Sequence, residues 1–152
     1  MTVELTLEYI NTEWAKDTIL NDLDIAGEVK KLPQLHSKWL THISVAKDSL
    51  RRLAKKFLNL RKIKYHYYRG ELSKDDLLKY GWKQWQGAKP LKGEMEELLK
   101  GDADILKFED QIKMHENMIW TMEQILRSLH QRGFDLKTLL GAKQFYSGYG
   151  GV

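Results

Sequence analysis

The sequence predicts an all-α protein built on a long antiparallel helical hairpin, with a short helix at each end of the chain. Two long stretches carry apolar residues at alternating steps of three and four, which is the seam spacing of a coiled coil. A connection rich in glycine separates the two stretches and breaks any long helix between them. With 152 residues, of which 42% are hydrophobic, the chain suits one helical domain with a modest core.

The N-terminal half of the chain is predicted to form two helices. Thr2 opens a short amphipathic helix that runs through about Trp14. Asn21 then offers the cap of a long helix over about residues 22–69, in which Pro33 either bends the helix or begins it, because proline lacks a backbone donor. The seam of this long helix consists of Ile43, Ala46, Leu50, Leu53, Phe57, Leu60, Lys64 and Tyr67.

The C-terminal half is predicted to contain a loop over residues 70–104, in which Met95–Lys100 can form a turn or two of helix, and a second long helix over about residues 104–131. Gly133 is interpreted as the end of that helix, since glycine commonly follows a last helical residue. A C-terminal helix over 134–146 and a flexible tail over 147–152 complete the chain. The second seam consists of Ile105, Phe108, Ile112, His115, Ile119, Met122, Leu126 and Leu129.

Together the two seams predict the register of the hairpin. Ile43 is expected to lie near Leu129, and Tyr67 near Ile105, so that residues 1–146 form a single helical domain. Sustained seams of this kind also favour contacts with other subunits.

Positive charge is concentrated in the segment Lys47–Arg69, which carries nine Lys or Arg, the single acid Asp48, and three tyrosines near its end. Residues 1–33 carry three basic residues against seven acidic ones, and residues 91–131 carry five against nine. This asymmetry predicts a local field that attracts a polyanion, which the charge alone leaves open as nucleic acid, an anionic membrane or an acidic protein.

No acid lies among the cations from Arg51 to Lys64, and like charges at helical spacing destabilise a helix by about a few tenths of a kcal/mol per pair. An anionic partner would relieve the repulsion, whereas a merely solvated face would alternate in sign. Lys64 occupies a seam position, where either the seam splays or the side chain faces a wet opening. Tyr68 is expected to be freer than Tyr67 to stack on a base. The cations concerned are Arg51, Arg52, Lys55, Lys56, Arg61, Lys62 and Lys64.

No catalytic site, metal site or cofactor is predicted. The chain has no cysteine and no Walker A, HExxH or GxSxG motif. Asp75 and Asp76, like Asp102 and Asp104, lack a histidine or a third carboxylate at ligand spacing and are interpreted as loop or helix-start acids. His115 is interpreted as a structural residue of the seam.

A membrane role is also disfavoured by the sequence. No apolar stretch approaches the ~18 residues that a membrane span needs, and the N-terminus lacks a secretory signal pattern. A membrane-surface helix would need the apolar stripe that the seam already uses. Trp82 and Trp85, in the connection, form either a contact surface or the cap of the hairpin.

Several strings in the chain resemble one family when taken together in order. They are SKWL at Ser37–Leu40, the stretch Lys62–Gly70 ending in YYRG, Glu94-Met95, the string at Asp104–Lys107, and RGF at Arg132–Phe134. This ordered set resembles the UvsY family of phage recombination mediators. The resemblance runs from about Lys16 to Phe145, with only the connecting loop differing in length.

The resemblance implies a non-enzymatic protein that binds single-stranded DNA as a homo-oligomeric ring, a hexamer or a heptamer, in the host cytoplasm during infection. Such a protein helps a RecA-like recombinase to displace the phage single-stranded DNA-binding protein in recombination, repair and replication. The alternative is a structural assembly protein whose basic face docks an acidic protein.

Two sets of site residues follow from the resemblance and the charge pattern. Lys62 and Lys64 match the family's basic pair for DNA binding, although Lys64 stands where the family has arginine and so loses bidentate phosphate contact. The full DNA-binding set is Arg51, Arg52, Lys55, Lys56, Arg61, Lys62, Lys64, Tyr68 and Arg69. The set expected to support oligomerisation is Phe134, Leu136, Leu139, Leu140 and Phe145.

Overall fold

The computed structural model describes residues 4–149, and their regular structure is entirely helical. The five helices are α1 (Leu7–Asp17), α2 (Ile25–Tyr68), α3 (Lys74–Tyr80), α4 (Lys92–Gly101) and α5 (Ala103–Tyr149). The all-α prediction is therefore confirmed. The chain forms two compact units, which we call the terminal unit (described residues up to Asp48 and from Glu116 onward) and the central unit (Ser49–His115).

The two predicted seams are confirmed by burial, because every residue of both sets is buried or half-buried. In the terminal unit, α2 and α5 run in opposite directions, because Lys47 Nζ lies 3.8 Å from a Glu123 carboxylate oxygen while Leu32, earlier in α2, lies beside Gly133, later in α5. In the central unit, Tyr67 packs against a core cluster that contains Ile105.

Trp39 anchors the terminal unit, in which its side chain is fully buried. Its indole Nε1 donates to Asp17 Oδ2 at 3.0 Å, and its ring meets Trp14 edge to face at 6.2 Å. Arg132 lies over the Trp14 ring and donates to the Asp17 carbonyl at 2.7 Å. These contacts hold α1 against α2 and α5, so the short N-terminal helix is part of the core.

The beginnings of α1 and α2 differ from the predicted ones. Thr6 caps α1 by accepting from the Tyr9 N–H at 3.0 Å, whereas the predicted start at Thr2 lies outside the described residues. Pro33 lies in the interior of α2, which begins at Ile25. The interpretation that Pro33 begins the helix is therefore wrong.

The predicted helix end at Gly133 is also wrong, since α5 continues to Tyr149. It absorbs the predicted C-terminal helix and the first residues of the predicted tail, whose last residues, 150–152, lie outside the described range. Glycine costs only about 1 kcal/mol in a helix interior. Leu129 and Leu136, one heptad apart on either side of the glycine, are both buried and carry the packed face across it.

The predicted loop over residues 70–104 contains two short helices. Ser73 caps α3 by accepting from the Asp76 N–H at 3.2 Å, and Gly81 ends it at φ +72°, a left-handed conformation that glycine adopts freely. The α3 signal was present in the sequence as a serine three residues before an aspartate. At the start of α4, Glu94 accepts from the Leu91 N–H at 3.0 Å.

Candidate nucleic-acid interface

A row of six residues marks the face of α2 opposite its seam, with five of them in the helix and the sixth, Arg69, directly after its last residue. An α-helix turns by about 100° per residue, so positions spaced alternately by four and three stay on one face. Four of the six are cationic and two carry apolar or aromatic surface. We call this row the basic stripe, and it consists of Arg51, Lys55, Leu58, Lys62, Tyr65 and Arg69.

Three exposed lysines of the basic segment carry positive charge that forms no ion pair within the described part of the chain. Lys55, Lys56 and Lys62 are exposed, and no ion pair or hydrogen bond joins their side chains to another residue of the described range. Arg51 and Arg52 are exposed as well, but each has an interaction partner in the chain. These five positions belong to the predicted DNA-binding set, which stays a prediction, and the three lysines can bind an anion without giving up an internal contact.

Arg61 is partly committed to an acid of α4. Its guanidinium lies 3.7 Å from Glu96, and both side chains are about half exposed. An ion pair in such a position contributes about 0–1 kcal/mol, so it can be exchanged for a phosphate contact at little cost.

Lys64 is buried, and its predicted place in the DNA-binding set is wrong. Only 5% of the residue is exposed. Its ammonium lies 3.0 Å from Asp102 Oδ2, 2.8 Å from Asp104 Oδ2 and 3.9 Å from the centre of the Trp82 ring. The seam neither splays nor opens to water at this position, because two carboxylates and an aromatic face receive the charge. Two helical residues span about 200°, so Lys62 and Lys64 point in opposite directions.

Tyr68 is buried as well, so the expectation that it is the freer ring is wrong. Its hydroxyl donates to Asp102 Oδ2 at 2.6 Å, and its ring meets Trp85 edge to face at 4.9 Å. Burial, and then the hydrogen bond to the carboxylate, raise the pKa of Tyr68. Tyr67 is packed as predicted, with its hydroxyl donating to the Lys83 carbonyl at 2.6 Å.

Asp102 is the centre of this buried network. Its Oδ1 accepts from the N–H groups of Asp104 and Ile105, both at 3.0 Å, and so caps α5. The interpretation of Asp102 as a helix-start acid is therefore confirmed. Trp82 and Trp85 cover the network, which favours the capping interpretation of the two tryptophans over the contact-surface one.

The ionisation of Asp102 predicts an acid-labile fold. Burial acts to raise the pKa of Asp102, but hydrogen bonds from Tyr68, the Ile105 N–H and Lys64 outweigh it and hold the pKa below its usual value. A carboxylate with a lowered folded-state pKa stabilises the fold above its unfolded pKa of about 3.9, and the stabilisation is lost as the pH falls through the folded value. Urea denaturation between about pH 5 and pH 2 should therefore show a steeper loss of stability for the wild type than for Asp102→Asn; parallel curves would contradict this role.

Tyr65 is the exposed tyrosine of the segment, with 39% of its surface accessible. Its hydroxyl accepts from Arg69 Nη1 at 2.9 Å, and Arg69 Nε donates to Glu71 at 2.7 Å. The hydrogen bond with His66, and then that with Arg69, lower the pKa of Glu71. The predicted DNA-binding set contains Tyr68 and not Tyr65, although the spacing of Tyr65, three from Lys62 and four from Arg69, places it on the basic stripe.

The predicted oligomerisation residues divide into two groups. Phe134, Leu140 and Phe145 are well exposed on α5, and Leu139 is exposed less strongly. Leu136 is only 2% exposed and belongs to the core of the terminal unit, so its prediction as an interface residue is wrong.

No group of three His, Asp or Glu in residues 4–149 is placed to hold a metal ion. Among the helices described, none combines the length and apolar character that a membrane crossing requires. His115 is half-buried in the seam, with Nδ1 3.0 Å from the Gln111 carbonyl of its own helix, as expected of a structural residue.

An all-helical fold with an exposed basic stripe, interrupted by leucine and tyrosine, defines a helical polyanion-binding protein. The chain belongs to the UvsY family, because the model of that family, the recombination, repair and ssDNA binding protein UvsY, matches residues 13–149. This family consists of recombination mediators that bind single-stranded DNA, and not of enzymes. The resemblance seen in the sequence strings is confirmed.

Individual relatives agree with the family assignment. The recombination protein uvsY of Enterobacteria phage T4 is 27% identical over 145 residues, covering 95% of this chain and 99% of the relative. Two crystal structures of the bacteriophage T4 recombination mediator protein UvsY, in different lattices, match with a TM-score of 0.81 at 23% identity. They cover 95% and 93% of this chain and 99% of each solved chain, and they show that the fold is shared.

Proposed function

We propose that the basic stripe is the surface through which this protein binds single-stranded DNA. The observation that carries the proposal is the exposure of Lys55 and Lys62, without internal partners, on the face of α2 that the seam leaves open. When these lysines contact DNA phosphates, they displace the cations condensed on the DNA into solvent, and this release is the dominant favourable term in sequence-independent binding.

The bound state proposed here is a homo-oligomeric ring, a hexamer or a heptamer, held together in part by the exposed apolar residues of α5. Each copy presents one stripe, so weak contacts add through tethering along one DNA strand. Such a ring can hold the strand in a form that a RecA-like recombinase accepts, in competition with the phage single-stranded DNA-binding protein and without nucleotide hydrolysis. The place of action that fits this role is the cytoplasm of the infected host.

Replacing both Lys55 and Lys62 with alanine should weaken binding to single-stranded DNA and flatten its salt dependence. Each lysine that contacts a phosphate contributes about 0.7 to the magnitude of the slope of log K against log salt. The double substitution should therefore lower that magnitude by about 1.4 for each protomer that contacts the DNA. Fluorescence anisotropy with a labelled oligonucleotide at several salt concentrations measures both quantities.

The matched control replaces Lys30 and Lys137, two exposed lysines of the terminal unit, and removes the same total charge. This control should keep the slope of the wild type. Equal losses in the two double variants would show that net charge, and not the stripe, governs binding and would refute the assignment.

A further inference from the structure

A groove of about 590 Å³ opens beside the basic stripe within the central unit. This volume lies in the range of pockets that hold small organic ligands. One wall comes from α2 and the other from α4 and the residues before it. The residues that matter here are Leu58, Lys62 and Tyr65 on the first wall and Pro90, Lys92 and Met95 on the second.

Charge and apolar surface are combined in this groove in the way that a nucleotide requires. Four cationic residues line it, and the one acid, Glu96, is already paired with Arg61. Between the cations lies apolar surface, including Leu58, which is 66% exposed. A simple anion would use only the cations, and an apolar ligand would use only the apolar lining, which we call the floor of the groove and which includes Leu58 and Met95. A ligand that carries both phosphate and a flat base satisfies both.

The ring of Tyr65 is held in place before any ligand arrives. Arg69 fixes its hydroxyl, and Glu71 fixes Arg69 through a 2.7 Å contact. His66 in turn contacts the other carboxylate oxygen of Glu71 at 2.7 Å. A side chain held in this way loses little conformational entropy on binding, which favours its use as a stacking surface.

We infer that the groove receives one nucleotide of single-stranded DNA, with its base against Tyr65 and the apolar floor and its flanking phosphates on Lys62 and Lys92. The inference rests on the proposed function and adds a base-binding site that includes Lys92, from outside the basic segment. A base must be unstacked and unpaired to enter, so the groove favours single strands over duplex.

An oligothymidylate and an abasic oligonucleotide of equal length test the inference. The wild type should bind the oligothymidylate at least about fivefold more tightly, since stacking on an aromatic ring contributes that much per base. Tyr65→Ala should abolish this difference by weakening only the oligothymidylate, while Tyr65→Phe, which keeps the ring, should retain it. Lys92→Ala should weaken both ligands.

The outcomes separate this inference from the proposed function. If Lys62→Ala weakens both ligands while Tyr65→Ala changes neither, the groove assignment fails and the DNA-binding stripe stands. If neither variant changes affinity, the stripe fails too. Polyglutamate and unlabelled single-stranded DNA can each be added as competitors of the labelled oligothymidylate. Equal competition by the two would overturn the inference in favour of an acidic protein partner.

Discussion

Lys64→Ala should lower the free energy of unfolding by about 3 kcal/mol, because Lys64 belongs to a buried ion pair. Removing one member of a buried ion pair leaves the other charge without compensation, which typically costs about 3–5 kcal/mol. Here Asp102 would keep its hydrogen bonds from Tyr68 and the backbone, which favours the lower end. Urea denaturation at one fixed protomer concentration measures the change, since assembly links stability to concentration.

The matched control for this substitution is Lys62→Ala, two residues away on the exposed face. Removing an exposed lysine without internal partners should change the free energy of unfolding by no more than about 0.5 kcal/mol. Similar losses in the two variants would contradict the burial of Lys64.

Simultaneous replacement of Phe134, Leu140 and Phe145 with alanine should disperse the proposed ring. Each apolar side chain that is buried on assembly contributes about 1.5–3 kcal/mol, so the triple change should weaken each subunit contact by on the order of 5 kcal/mol. Sedimentation velocity at a concentration where the wild type is assembled measures this, and circular dichroism checks that the helices remain.

Leu136→Ala separates assembly from folding on the same helix. Because this side chain is buried in its own subunit, its truncation should cost about 2–5 kcal/mol of folding stability. A triple variant that still sediments as the full oligomer would refute the interface assignment, whatever Leu136→Ala does.

The sequence predicts the fold correctly where the periodic spacing of apolar residues determines which helix faces are buried. Both seams, from Ile43 to Tyr67 and from Ile105 to Leu129, are buried or half-buried as their spacing predicts. The helix end predicted at Gly133 is wrong because the helix propensity of glycine costs only about 1 kcal/mol. Tertiary packing on either side of Gly133 outweighs that cost.

The sequence predicts the site only in part, because a run of cations along the chain does not show which of them share a face of the helix. Lys62 and Lys64 were assigned together from the resemblance, yet positions two apart on a helix cannot share a face. The carboxylates that pair with Lys64 belong to Asp102 and Asp104, which follow it in the chain by 38 and 40 positions. Only the register of the packed helices brings these groups together, so no local pattern around Lys64 reveals them.

DNA is proposed to bind on the exposed face of α2, whereas Lys64, the cation on the seam of this helix, stabilises the fold. The most direct measurement compares single-stranded DNA binding by Lys62→Met and Lys64→Met across a range of salt concentrations, under conditions where both proteins remain folded and assembled. The structure predicts that Lys62→Met weakens binding and lowers the salt slope by about 0.7, while Lys64→Met keeps the slope of the wild type. A lowered slope for Lys64→Met with an unchanged one for Lys62→Met would contradict it.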